Sequence, residues 1–285
     1  MGEMKKNKIS YTKKELFWKI LLTAALLLIA IMMVFPIAWM LSASFKHENV
    51  VFNIPIEWIP KQPTLSNFIT AFTDFPYIHW YMNTIMVTIM VVILVLTVSS
   101  LAGYAFAKLE FSGKNIIFML FISTMMIPVQ VRIIPQFVIF KHLHLINTLA
   151  SVYMPWMFNA FSIFMMRQFF MSIPNELIEA ARIDGSGEFK TFFKVVIPLA
   201  KSQLSALLIL AFTWGWNDYF GPLVYISDIN KQVLSVGIAS FKGQYSSNFA
   251  VQMAGATLAL IPIVIVYLCA QKNFIEGIAL SGVKG

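Results

Sequence analysis

Six long apolar runs separated by short polar gaps dominate this chain. They fall at about 17–41, 83–107, 115–131, 149–166, 202–221 and 249–271. A hydrocarbon core about 30 Å thick needs roughly 20 mostly apolar residues in a helix. The runs are continuous rather than alternating, which excludes a transmembrane barrel. The predicted fold is therefore all-α: one polytopic membrane domain over residues 1–285, with six transmembrane helices. The third run is the shortest and carries Pro128. Small residues Ser42-Ala43-Ser44 follow the first run, as at a cleavage site. A signal core has only about 7–15 apolar residues, so an uncleaved anchor is expected.

Two gaps carry a pattern of their own. The stretch 42–82 holds Pro55, Pro60, Pro63 and Pro76 among many aromatic residues. Such a composition suits a compact cap at the membrane interface, with Ser66 placed to cap a short helix through about Phe72. The stretch 175–196 reads as two short helices. Pro174 suits a first helical turn, and Glu176 and Glu179 suit its positive end. Ala180 and Ala181 favour helix and have almost no bulk, so another backbone can approach closely. Gly185 is placed to take the left-handed conformation that ends a helix. Ser186 then caps a second helix, in which Phe189, Phe192, Phe193 and Val196 recur at helical spacing, and Pro198 stops it. The predicted product is an angled helix pair with a glycine corner.

Composition agrees with the pattern. Hydrophobic residues make up 59% and charged residues 12%, against about 25% charged in a soluble domain. The net charge of +8 does not point to nucleic acid, because the basic residues lie in the gaps between runs. If the N-terminus is cytoplasmic, the inner segments hold 15 of the Lys and Arg residues and the outer segments 6. The positive-inside rule then puts both termini, and the 175–196 segment, in the cytoplasm. Cys269 is the single cysteine, so a disulfide within the chain and a cysteine-built metal site are excluded.

No motif in the chain supplies a catalytic residue. Gly113-Lys114 is followed by Asn115 and is no phosphate-binding loop, so ATP would have to be used by another polypeptide. Gly185-Ser186-Gly187 lacks the spacing of a nucleophile elbow. His47-Glu48 lacks the second His of a zinc helix, and His142 and His144 suit a solvated or interfacial loop, so no metal site is assigned. Carboxylates are absent from the middle of the runs, which speaks against a proton relay. A stand-alone secondary transporter of a small polar solute is the alternative it disfavours. A membrane enzyme would need a polar cluster at depth. Ser99, Gly103 and Ala107 form a small-residue face for close helix packing, within the chain or against another. Gln130 and Arg132 beyond Pro128, Asn159, and the cluster Trp214, Asn217 and Asp218 are the polar groups placed to meet a hydrophilic solute. Interface anchoring is the plainer use of Trp and Asn at a span's outer end.

Glu179-Ala180-Ala181, three residues, Gly185, then Val195-Val196-Ile197-Pro198 resembles the EAA motif of ABC-importer permeases. Val and Ile stand where that family favours Ile and Leu. Asp184, Asn83-Thr84, Trp216-Asn217-Asp218 with Pro222-Leu223, and the ending Gly282-Val283-Lys284-Gly285 are similar to its carbohydrate-uptake, maltose-transporter G-subunit-like branch. That branch often has a Pro where this chain has Ser202, so a less kinked entry to the fifth span is expected. The resemblance implies that Glu179, Ala180, Ala181, Asp184 and Gly185 form a coupling helix docked on an ATPase subunit. It implies that Gly282, Val283, Lys284 and Gly285 make a second ATPase contact. It further implies a bacterial inner-membrane permease of an importer, working by alternating access. The partners would be a second, related permease, two ATPase subunits holding ATP and Mg, and an extracellular solute-binding protein. No cofactor is implied on this chain. An ordinary solvated loop is the bland alternative for the coupling segment.

Overall fold

A computed structural model describes residues 12–241 and 248–282. Every regular element among them is helical. Helix α1 (Lys13–Ser44) starts in a capping box: Thr12 Oγ1 accepts from the Glu15 N–H, and Glu15 Oε2 accepts from the Thr12 N–H. Then come α2 (Ser66–Thr73), α3 (Tyr77–Lys108), α4 (Lys114–Ser123), α5 (Val129–His142), α6 (Ala150–Tyr153) and α7 (Ala160–Met171). The stretch 175–199 supplies α8 (Asn175–Ile183), α9 (Glu188–Thr191) and α10 (Ile197–Leu199). The chain ends with α11 (Lys201–Asn217), α12 (Phe220–Tyr225), α13 (Leu234–Ala239) and α14 (Phe249–Gly282).

Helix α3 is the axis of the bundle and lies between α7 and α11; α1 packs on α14, which also meets α11. Val87, Val91 and Val95 repeat every four residues and face one side of α3. They share a core with Met166 and Phe170 of α7 and Leu207 and Ala211 of α11. Gly103 lets α3 approach α7 closely. A Cβ there would lie 2.8 Å from Met166 Cβ and 3.0 Å from the Arg167 nitrogen. At this position the small-residue face serves packing within the chain. A second cluster joins Tyr77 and Trp80 to Trp216, Leu234, Phe241 and Val251, and the Tyr77 hydroxyl donates to the Gly255 carbonyl at 2.7 Å.

Among the described residues, Lys13–Ser44, Tyr77–Lys108 and Phe249–Cys269 are each long and apolar enough to cross a bilayer, and two bent helix pairs bring that number to as many as five. The runs 115–131, 149–166 and 202–221 are not straight single helices. The third breaks at Ile127-Pro128, where the two halves meet at 108°. Proline has no N–H to continue the ladder and pushes its predecessor out of the helical region; Ile127 is extended, with ψ 114°. The fourth breaks at Asn159, leaving α7 only 12 residues long. The fifth ends at Asp218, also extended with ψ 123°. Its entry is bent by 82° around Ala200, so the lack of a proline at 202 does not straighten it; Pro198 remains inside α10.

Smaller details also differ from expectation. Thr64, not Ser66, closes the start of α2: its Oγ1 accepts from the Ser66 N–H at 3.1 Å. Gly187, not Ser186, precedes α9. Asn67 Nδ2 ties the cap segment to the end of α1, donating to the Ser44 and Lys46 carbonyls at 2.9 and 2.7 Å.

Candidate functional site

Two polar places interrupt the apolar bundle. The first is the elbow formed by α8 to α10. Gly185 has φ +78°, and its N–H donates to the Arg182 carbonyl at 3.0 Å while the Ser186 N–H donates to the Ala181 carbonyl at 2.9 Å. Together these form a Schellman stop, which satisfies the last carbonyls of α8 and turns the chain sharply. A Cβ on Gly185 would meet nothing within 4 Å. Space is therefore open there, and only the backbone conformation demands glycine.

Helix α8 buries a single residue, Ile178, which joins the core beside Tyr104, Phe170 and Phe192. Glu179, Ala180, Asp184 and Gly185 are exposed, and Ala181 is half-buried. Ile183 is 87% and Phe189 75% exposed, so two large apolar side chains stand bare on the elbow. The elbow is held to the bundle by α3. Lys108 Nζ donates to the Ile173 carbonyl and Asn175 Oδ1, each at 2.6 Å. Arg182 pairs with Glu188 Oε1 at 2.7 Å. Four of the five motif residues are thus exposed, and Ala181 is partly covered. Gly282 ends α14; Val283, Lys284 and Gly285 lie outside the described residues.

The second place is a cleft of about 280 Å³. Its walls include all three interruptions of the apolar runs, at Ile127, Asn159 and Asp218. Non-helical backbone at membrane depth is tolerated where it lines a cavity. Asn159 spends its Oδ1 on the N–H and hydroxyl of Ser162, both at 2.9 Å, and so starts α7. Asp218 Oδ2 accepts from Trp156 Nε1 at 3.0 Å. Trp156 stacks on Trp214, with ring centres 5.7 Å apart and planes 13° apart. Arg132 and Gln136 line the opposite wall, and Tyr225 donates its hydroxyl to Gln136 Oε1 at 3.0 Å.

Of the polar residues singled out from sequence, Arg132, Asn159 and Asp218 meet in this cleft, and Trp214 supports it from behind. Gln130 and Asn217 do not line it. Both are exposed, and Asn217 Nδ2 turns back to the Thr213 carbonyl at 2.9 Å.

Residues 99–279 match the family of binding-protein-dependent transport system inner membrane components. The chain belongs to this family. It is 36% identical over 277 residues to an arabinooligosaccharide transport system permease protein of Halalkalibacterium halodurans, covering 96% of this chain and 99% of that one. It is 33% identical over 255 residues to an sn-glycerol-3-phosphate transport system permease protein of Salmonella typhi, covering 87% and 91%. The fold matches a chain in the crystal structure of a bacterial ABC transporter involved in the import of the acidic polysaccharide alginate. The TM-score is 0.82 at 26% identity, over 93% of this chain and 99% of that one.

As an inner-membrane component of an ABC transporter, this permease is not an enzyme: ATP hydrolysis belongs to a separate subunit, and a solute-binding protein is a further partner. Its sequence left Trp156, Gln136 and Tyr225 unmarked as functional. Trp156 had one local signal, an aromatic residue after Pro155 inside a run that must break.

Proposed function

We propose that this permease passes a carbohydrate across the membrane by alternating access, with the α8 elbow as its point of attachment to the ATPase. On this reading the chain crosses the bilayer six times, with the broken α6–α7 stretch as the crossing beyond the five candidate spans, and both termini lie in the cytoplasm. It pairs with a second, related permease, and two ATPase subunits hold ATP and Mg. Closure of the ATPase pair moves the elbow, and the bundle reorients between inward- and outward-open states. An equilibrium of this kind shifts only by the difference in free energy that a ligand has for the two states. On this reading that difference enters through Glu179 to Gly185, with the Gly282 to Gly285 end as a second contact.

The observation that carries the reading is the exposed Glu179-Ala180 surface of a helix stopped at Gly185, on a chain with relatives in arabinooligosaccharide and sn-glycerol-3-phosphate transport systems. A solvated loop has no need of small exposed residues beside a glycine stop together with bare Ile183 and Phe189 on the same elbow. The cleft supports the solute half of the reading. It pairs stacked indoles with an amide and a carboxylate, the usual means of holding sugar hydroxyls and ring faces. Its volume lies just below the roughly 300–1,000 Å³ of ordinary ligand pockets. One chain therefore supplies one wall of a path that the second permease completes.

The test is reconstitution of the transporter in vesicles with Glu179→Lys. The variant should insert and assemble, hydrolyse ATP, and import little solute. Import at the normal rate would refute the docking role of this surface. Identifying the ligand of the binding protein that copurifies with the complex tests the carbohydrate assignment; an amino acid or metal ion there would overturn it.

A further inference from the structure

The two polar anchors of the elbow rise from the same face of α3. Tyr104 and Lys108 are four residues apart and therefore neighbours on that helix. Lys108 grips the entry to α8 through the Ile173 carbonyl and Asn175. Tyr104 reaches the exit through one carboxylate: its hydroxyl donates to Glu188 Oε2 at 2.9 Å. The other oxygen of that carboxylate takes Arg182, with Nε at 2.9 Å and Nη2 at 2.7 Å. Glu188 thus spans three elements: α9, which carries it, the last turn of α8, and the membrane helix α3.

The surroundings of the two partners differ. The Arg182–Glu188 pair is half-exposed, at 43% for each side chain. A pair so open to water contributes little to stability alone. Tyr104 is buried at 4% exposure, with its ring 5.1 Å from Phe192 and 6.2 Å from Phe170. Its hydroxyl is fixed by that packing, so it fixes the carboxylate in turn. The far end of α3 is also tied. Trp80 Nε1 donates to the Ile229 carbonyl at 2.6 Å, and Thr84 Oγ1 accepts from the Leu234 N–H at 2.8 Å.

We propose that Glu188 is a positioning residue that fastens the elbow to α3, so that the two move as one body and α3 carries the displacement across the membrane. Glu188 lies outside the Glu-Ala-Ala and glycine positions of the motif. The proposal rests on the docking reading given above. It predicts that loss of the carboxylate leaves docking intact and separates hydrolysis from transport.

The experiment uses the assembled transporter in vesicles with its binding protein and ATPase, and reads solute imported per ATP hydrolysed. Glu188→Ala should lower that ratio by at least about fivefold, the low end of coupling between sites. Glu188→Gln keeps hydrogen-bonding positions for both partners and should recover at least half of the loss. Adding Tyr104→Phe to Glu188→Ala should cost nothing further, since both act through one contact. Should Glu188→Ala fail to assemble, Tyr104→Phe alone, which keeps the packed ring, must lower the ratio. Docking is read separately, by cross-linking Ala180→Cys to the ATPase in a Cys269→Ser background. A normal cross-link with an unchanged ratio in Glu188→Ala overturns the fastening role and spares the docking reading. Losses that multiply in the double variant also overturn it. No cross-link in the chain carrying only the probe changes removes the docking reading, and this inference with it.

Discussion

The elbow and the cleft are both polar breaks in an apolar chain, and they are built in opposite senses. The elbow turns its distinctive residues outward. Glu179, Ala180, Asp184 and Gly185 are exposed, and only Ile178 of α8 enters the core. The cleft turns its polar atoms inward and satisfies most of them inside the chain: Asp218 with Trp156, Gln136 with Tyr225, Asn159 with Ser162. A surface that leaves its motif residues exposed is suited to a fixed macromolecular partner. One whose groups are held by stacked and hydrogen-bonded neighbours is suited to a small solute that comes and goes.

Variants at the two places should therefore fail differently. The largest effect is expected from Gly185→Val. A β-branched residue in the left-handed region costs about 1–3 kcal/mol, and at Gly185 the strain falls on the stop that aims α8. Import should fall to near background while the chain still inserts, as read by uptake and membrane fractionation. Gly185→Asn, which tolerates that region better, should retain part of the activity. Lys108→Met comes next. It removes both hydrogen bonds at the entry to α8, and each bond to a charged group contributes about 1.5–3 kcal/mol. Limited proteolysis should then cut the elbow faster, with uptake reduced in proportion.

In the cleft, Trp156→Phe keeps an aromatic ring and removes the indole N–H from which Asp218 Oδ2 accepts. An under-satisfied buried acceptor costs about 1–3 kcal/mol. The half-saturating concentration for uptake should change roughly tenfold, while ATPase assembly stays intact. A change in assembly instead would erase the distinction between the two regions. The smallest effect belongs to Asn217→Ala. Its side chain is exposed and bonded to its own helix, so stability should move by less than about 0.5 kcal/mol, and uptake kinetics should be those of the unaltered chain.

The two regions also differ in how far they can be read from sequence. The elbow is a local object. Pro174, the acidic first turn, the alanines and Gly185 all act within one stretch, and the glycine does adopt the left-handed conformation that its place after α8 implies. Ser186 was misread because a Schellman stop uses its backbone N–H to close α8, which leaves Gly187 to precede α9. The cleft is a non-local object. Trp156 and Asp218 are 62 residues apart, and Gln136 and Tyr225 are 89 apart. No spacing rule joins such pairs. Hydropathy placed the apolar runs but was blind to their breaks, because Asn159 and Asp218 interrupt the helix through their own backbone conformation within stretches that are apolar on average. The sequence marked Pro128 as unusual and gave no angle for the bend.

Attachment of the elbow to an ATPase on the cytoplasmic face is the claim on which the rest depends. Its most direct test places a photo-cross-linker at Ala180 in the intact transporter, in sealed membranes of known orientation. The account predicts capture of the ATPase subunit from the inner side, with a yield that changes when ATP and Mg are added. Labelling of position 180 from the outer side, or the absence of any ATPase adduct in either nucleotide state, would contradict it.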